Sequence, residues 1–170
     1  MTDRTRLTAT DLALTLPDGW EQVAVGGADL VIAFPERPDG SFRPNLVVMR
    51  EPSTEPVTAA SSAAIAASLV IHPGAHVLDV ALAHAVGAGG VLEGRRIVYG
   101  YETKATWVVV HQWVFATGSV HVNLTASCAV EDTPFVAPHS DGVVAGVVFG
   151  DGETAGETGG AVTDHGDGTR

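Results

Sequence analysis

Cysteine is almost absent from this 170-residue chain: Cys128 stands alone. No intrachain disulfide can form, and a thiolate-rich zinc site is excluded. A reducing compartment fits this composition without being demanded by it. Long apolar runs are missing too. The opening stretch MTDRTRLTATDLALTLPDGW has no signal-peptide core, because Asp11 interrupts its best apolar run. Nothing approaches the roughly 18 apolar residues of a membrane span. The expectation is therefore a soluble, cytoplasmic protein with no membrane insertion. Positive charge is scarce: nine Lys and Arg stand against 20 Asp and Glu, a formal net of −11. The excess is uneven, with −4 over residues 1–130 and −7 over residues 131–170. Phosphate backbones and anionic lipid surfaces both call for basic residues, so nucleic acid is not an expected partner. The plain reading of the acidic balance is solubility.

Catalytic signatures are also missing. There is no phosphate loop, dinucleotide fingerprint, nucleophile elbow or zinc-protease helix motif. Gly87-Ala88-Gly89-Gly90 is Gly-rich, but it precedes a β-rich run and no Lys-Ser/Thr follows, so it reads as a hairpin turn. Of the seven histidines, His72 and His76 have i, i+4 spacing, yet Pro73-Gly74 breaks the helix that would align them. No metal site and no cofactor are expected.

What is present is strand. Short β-rich runs at 12–16, 29–34 and 44–50 are separated by the turn signals Pro17-Asp18-Gly19 and Pro38-Asp39-Gly40. Residues 1–10 are polar and read as a flexible N-terminus. Residues 11–149 read as a single α+β domain, and 150–170 as a disordered acidic, Gly-rich tail without aromatics. Between Pro56 and Ile71 the character changes: VTAASSAAIAASLVI has no internal Gly or Pro and predicts a helix. Ser53 or Thr54 would cap it, Pro56 suits its first turn, and His72-Pro73-Gly74 ends it. Its alanines suit close packing on a sheet. Residues 77–85 read as a further strand. A last short helix, Gly142 to Phe149 capped by Ser140-Asp141, competes with a strand reading.

The richest stretch is Arg96 to Cys128, an antiparallel meander. With Thr117-Gly118 as a two-residue loop, Ala116 faces Ser119 and the pairs follow by counting. Trp107, Val109, His111, Trp113 and Phe115 share one face, which is apolar apart from His111. Val108, Val110, Gln112 and Val114 share the other, against Ser127, Thr125, Asn123 and His121. Gln112 and Asn123 are then directly opposed. A one-residue slip would exchange the faces, so the apolar pattern supports this choice. The first face is expected to receive the Ala-rich helix. The second admits solvent exposure, cover by the terminal helix, or a polar-lined groove.

Each chemistry-bearing residue has a structural and a functional reading. His111 is a core imidazole or a catalytic base. Cys128 is a small buried hydrophobe before it is a nucleophile. Trp107 and Trp113 are core, or with His111 they stack on a ligand. Arg43 with Asn45, and the pair Arg95-Arg96, either form strand-end salt bridges or hold an acidic partner.

Leu16-Pro17-Asp18-Gly19-Trp20, Phe42-Arg43-Pro44-Asn45-Leu46-Val47-Val48, a helix, then Gly94-Arg95-Arg96-Ile97-Val98-Tyr99 and Gln112-Trp113-Val114 follow in that order. The arrangement resembles actinobacterial members of the PsbP-like superfamily, in particular LpqN-like and DcrB-like proteins, over about residues 12–149. The resemblance implies an α/β/α sandwich around a curved antiparallel sheet. It also implies a non-enzymatic module for binding, assembly or chaperoning. Many such proteins are lipoproteins. This chain shows no signal and no lipid-accepting N-terminal cysteine, so anchoring is not expected. Gly142 and Gly146 weaken the closing helix, and no functional residue transfers by motif.

Three functions follow as expectations. The first is a protein- or peptide-binding module, chaperone- or adaptor-like in secretion or assembly. It would use Gln112, His121 and Asn123, with Arg43 and Asn45 as further candidates; a homodimer stays open. The second is a small-ligand carrier with a pocket between helix and sheet lined by Trp107, Trp113 and His111. The third is an enzyme using His111, which requires a carboxylate or hydroxyl within reach of the ring.

Overall fold

The turn between the apolar runs 107–116 and 120–129 decides how these two strands pair. Gly118 has φ +71°, a conformation that glycine adopts without strain. Thr117 N–H donates to Val120 O at 2.8 Å, which makes Gly118-Ser119 the loop. The structure, a computed structural model, describes residues 5–9 and 12–150. The expected tail from 151 onward lies outside the described residues.

Its elements in chain order are β1 (Arg6–Ala9), β2 (Leu12–Thr15), β3 (Glu21–Gln22), β4 (Leu30–Ala33) and β5 (Asn45–Pro52), then α1 (Val57–Ile71). The long strands β6 (His76–Gly87), β7 (Gly90–Glu102), β8 (Trp107–Ala116) and β9 (Val120–Ala129) follow. A 3-10 turn (Val130–Asp132), α2 (Thr133–Ala145) and β10 (Val148–Phe149) close the described chain. Among the described residues one ten-stranded sheet has the order β1-β2-β10-β6-β7-β8-β9-β5-β4-β3. Only the β10–β6 pair is parallel.

Two cores lie on opposite faces of the sheet. On one, Trp113, Phe115, Leu124 and Ala126 pack against Val136, Val143 and Val144 of α2. Leu12 and Leu14 of β2 and Leu30 and Ile32 of β4 join the same cluster, although β2 and β4 lie near opposite ends of the strand order. The sheet therefore curls around α2. On the other face, Ile97, Tyr99, Val108, Val110 and Val114 meet Val57, Ala60, Ala64 and Ile65 of α1. The architecture is α+β, a curled, mostly antiparallel sheet between two helices.

Several expectations are corrected here. Within the expected flexible N-terminus, Arg6–Ala9 is a strand paired with β2, and residues 1–4 and 10 lie outside the described residues. Neither Ser53 nor Thr54 caps α1: Pro56 holds the N-cap position without a side-chain bond. The last helix begins at Thr133, with Pro134 in its first turn, where a missing N–H costs no helical bond. Ser140 lies inside that helix and bonds Val136 O, while Val148–Phe149 pairs between β2 and β6. The β8–β9 register is displaced by two residues, so that Gln112 opposes Thr125 and Val114 opposes Asn123. A turn shifted by one residue moves both strands together, which preserves the faces and changes the partners. Most consequentially, the apolar first face receives α2, and the Ala-rich α1 lies on the other.

Candidate functional site

Alanines at Ala59, Ala63 and Ala67, followed by Ile71, recur every four residues and form one row along α1. Ala60, Ala64 and Ser68 form the next. Such short side chains hold no bulk over the sheet. The helix leans on β7 and β8, and Ser61 and Ser68 are its only buried residues, each with its hydroxyl turned back onto a backbone carbonyl of its own helix. A groove of about 660 Å³ opens between the alanine rows and the sheet, with β5 and β9 beneath its far side. Gln112, His121, Asn123 and Thr125 are polar members of its floor, Met49 and Glu51 line its β5 side, and Tyr99 lies at its back.

Both ends of α1 are tied down. At the entry, His121 is buried and its Nε2 donates to Glu55 O at 2.7 Å. That bond sets the Nε2–H tautomer in the neutral ring. At the exit, His72 stacks on Tyr101 with ring centroids 3.8 Å apart and planes 11° apart. Burial pushes the Tyr101 hydroxyl above the usual phenol range, which keeps it neutral. On the floor, Gln112 Nε2 donates to Asn123 Oδ1 at 3.4 Å, a diagonal contact across the displaced register. The Gln112, His121 and Asn123 expected to share a site therefore do converge, under α1 and not on a face away from it.

The other candidates lie elsewhere. Arg43 donates from Nε to Phe34 O at 2.6 Å and pairs with Glu21, while Asn45 Nδ2 donates to Arg43 O at 3.0 Å. Arg43 thereby ties β3 to the segment that follows β4, whereas the Asn45 bond is local to the start of β5. Arg95 and Arg96 pair with Glu93 and Asp79 at 3.6 and 2.8 Å. The expected pocket of Trp107, Trp113 and His111 is corrected: none of the three lines the groove. Trp113 is buried beneath α2. Trp107 lies across Gly100, where an added Cβ would come within 2.9 Å of its Cε2. His111 Nδ1 is buried without a partner, and no carboxylate or hydroxyl among the described residues hydrogen-bonds the ring. Burial pushes the His111 pKa down, with Asp141 opposing and Arg96 adding to the shift. Cys128 is buried and its thiol is pushed up, mainly by burial, away from the thiolate a nucleophile needs. Among the described residues no group of three or more His, Cys, Asp or Glu is placed to hold a metal ion. No described helix is long and apolar enough to cross a membrane.

The curled sheet with one helix on each face is also found in solved structures. LpqN of Mycobacterium tuberculosis, described as involved in cell envelope biogenesis, superposes with a TM-score of 0.64 at 16% identity. The match covers 88% of this chain and 86% of LpqN. Cyanobacterial PsbP (CyanoP) of Synechocystis sp. PCC 6803 superposes with a TM-score of 0.59 at 15% identity, over 85% of this chain and 91% of that one. The fold is PsbP-like. Protein PA94 of Pseudomonas aeruginosa, a protein of unknown function described as a putative regulator, shares this PsbP-like fold at a TM-score of 0.53 and 14% identity, over 80% and 90% of the two chains. No family model matches the sequence, and no curated protein matches it significantly. At these identities the PsbP-like likeness concerns the fold, and the site has to be argued from its own residues.

The alanine rows were the signal that sequence reasoning missed. Read as a close-packing surface, they form instead one wall of the groove. The second sign lay on the sheet, where positions 112, 121, 123 and 125 facing that helix are all polar.

Proposed function

We propose that this protein is a non-catalytic binding module whose site is the groove under α1. Its occupant is a segment of another protein, in a chaperone- or adaptor-like role in secretion or assembly. The observation that most supports this reading is the groove itself: about 660 Å³ between an alanine wall and a floor of Gln112, His121, Asn123 and Thr125. Methyl groups offer apolar contact, and the floor's amides and hydroxyl can bond the polar backbone of an extended or helical segment.

The test is selection of peptides from a random display library on the wild-type protein, followed by measurement of Kd on variants. Ala63→Trp places an indole into the groove from an exposed helix position. The selected peptides should bind it at least tenfold more weakly. Replacing Gln112 and Asn123 by Ala together with His121→Gln, which keeps a donor near Glu55, should weaken the same peptides. Unchanged affinity in both variants, with circular dichroism confirming their folding, overturns the reading.

A second reading is favoured by the size of the groove, which falls within the roughly 300–1,000 Å³ of small-molecule sites. Native mass spectrometry of protein taken from its own cells would then show a bound small molecule that the Ala63→Trp variant lacks.

A further inference from the structure

Most of the arginines of this fold are committed to carboxylates away from the groove. Arg37 Nη1 is 2.9 Å from Asp132, Arg50 Nη2 is 2.7 Å from Asp29, and Arg96 Nη2 is 2.8 Å from Asp79. Two exposed carboxylates on the groove, Glu51 of β5 and Glu55 just before α1, have no ion-pair partner among the described residues. Among the described residues no Lys or Arg lines the groove. Its alanine wall then runs from Ala59 to Ile71, roughly 18 Å along the helix axis. At that far end the last turn of α1 has no basic residue, so no Lys or Arg of the helix itself offsets the partial negative charge of its C-terminus. Val70 and Ile71, 79% and 67% exposed, give that end an apolar rim. The groove is thus apolar along its wall and negative at both ends.

We propose that the segment it takes is cationic and amphipathic, with basic side chains reaching Glu51 and Glu55 at one end and the C-terminus of α1 at the other, and apolar side chains against the alanine rows. This rests on the groove being the binding site. Anionic ligands such as fatty acids or acidic peptides are disfavoured by the same charges, and the net charge of −11 steers cations toward the protein.

The experiment uses the full chain and two labelled 15-residue probes of equal length and apolar content, one of leucine and lysine and one of leucine and glutamate. Binding is read by fluorescence anisotropy in 50 mM salt. The lysine probe should bind at least tenfold more tightly than the glutamate probe. Glu51→Gln with Glu55→Gln should weaken the lysine probe roughly fivefold, as two exposed ion pairs allow, and the loss should vanish in 0.5 M salt. Glu36→Gln with Glu102→Gln, the same charge change away from the groove, should leave it unaltered. Ala63→Trp should weaken the lysine probe by tenfold or more. Three results overturn the proposal, and they are distinguishable. If Ala63→Trp weakens both probes alike and the Glu51/Glu55 pair has no effect, the groove binds but does not select charge. If Ala63→Trp has no effect on either probe, the groove is not the site. A wild-type dimer that Ala63→Trp dissociates would assign the groove to a second copy of this chain.

Discussion

The bond from His121 Nε2 to Glu55 O joins β9 to the segment that enters α1, and its removal should loosen the helix without loosening the sheet. The apolar seat of α1 is Val57, Ala60, Ala64 and Ile65, all only half-buried, while its last three residues are exposed. A helix so thinly seated between its two tied ends opens below the global unfolding free energy. His121→Phe keeps a ring in the buried position and deletes the donor. Glu55 is exposed, so its carbonyl can recover a water, and the cost stays near the net value of one hydrogen bond, about 1 kcal/mol. If that cost falls on the opening of α1, its exchange-competent population rises roughly fivefold. Amide hydrogen exchange followed by mass spectrometry should show peptides covering 57–71 exchanging about five times faster, with β8 and β9 unaltered. His121→Gln retains a donor and should restore much of the protection. Equal acceleration in α1 and β9 would refute the reasoning, because the bond would then stabilise the whole domain and not the helix alone. No acceleration anywhere would mean that the bond contributes nothing.

Two glycines under aromatic rings should respond very differently to alanine. At Gly94 a Cβ would meet Phe115 Cδ1 at 2.5 Å and the Val114 backbone oxygen at 2.6 Å, neither of which can yield in a buried strand; about 3 kcal/mol should be lost in urea unfolding. At Gly100 the obstacle is the indole of Trp107, which is half-exposed and can swing outward, so Gly100→Ala should cost about 1 kcal/mol and red-shift the tryptophan emission. His111 sets a pH dependence. Burial holds its folded pKa below the unfolded value, so the unfolded chain binds more protons as pH falls through that value, and stability is lost on acidification. His111→Gln should therefore show a smaller fall in urea midpoint between pH 7.5 and 5.5 than the wild type, and an equal fall would contradict the burial argument.

The helix Val57–Ile71 was legible, apart from its cap, because its alanine run is bounded by Pro56 and by His72-Pro73-Gly74. The faces of β8 and β9 were legible too, since parity survives an error of one residue in the turn. The partners were not, because choosing between Thr117-Gly118 and Gly118-Ser119 depends on which residue must take positive φ, and both dipeptides contain the same glycine. Helix α2 was hidden by Pro134, Pro138 and Gly142, which weaken local helix propensity. Its burial of Val136, Val143 and Val144 against the sheet outweighs that penalty. Strands β1, β3 and β10, two to four residues each, are too short to display a period.

Which helix covers which face was not legible, for a topological reason. Four antiparallel steps separate β5 from β6, so the two strands run the same way, and α1 is a crossover between parallel strands. The handedness of such a connection assigns it to one face, and that choice is made by chain twist and not by residue pattern. Once α1 is assigned to the face of Gln112, His121, Asn123 and Thr125, its alanines change meaning. A close-packed interface between helix and sheet needs apolar bulk from at least one side to exclude water. Here the helix offers methyl groups while the sheet offers amides, an imidazole and a hydroxyl, so close packing would bury polar atoms without partners. The helix instead seats its Val57 and Ile65 over Ile97, Tyr99, Val108 and Val110, where the sheet is apolar, and stands clear of the rest. The groove is thus the consequence of two incompatible surfaces being placed opposite each other, and Gln112, His121 and Asn123 are brought together on its floor by the same topology that concealed it.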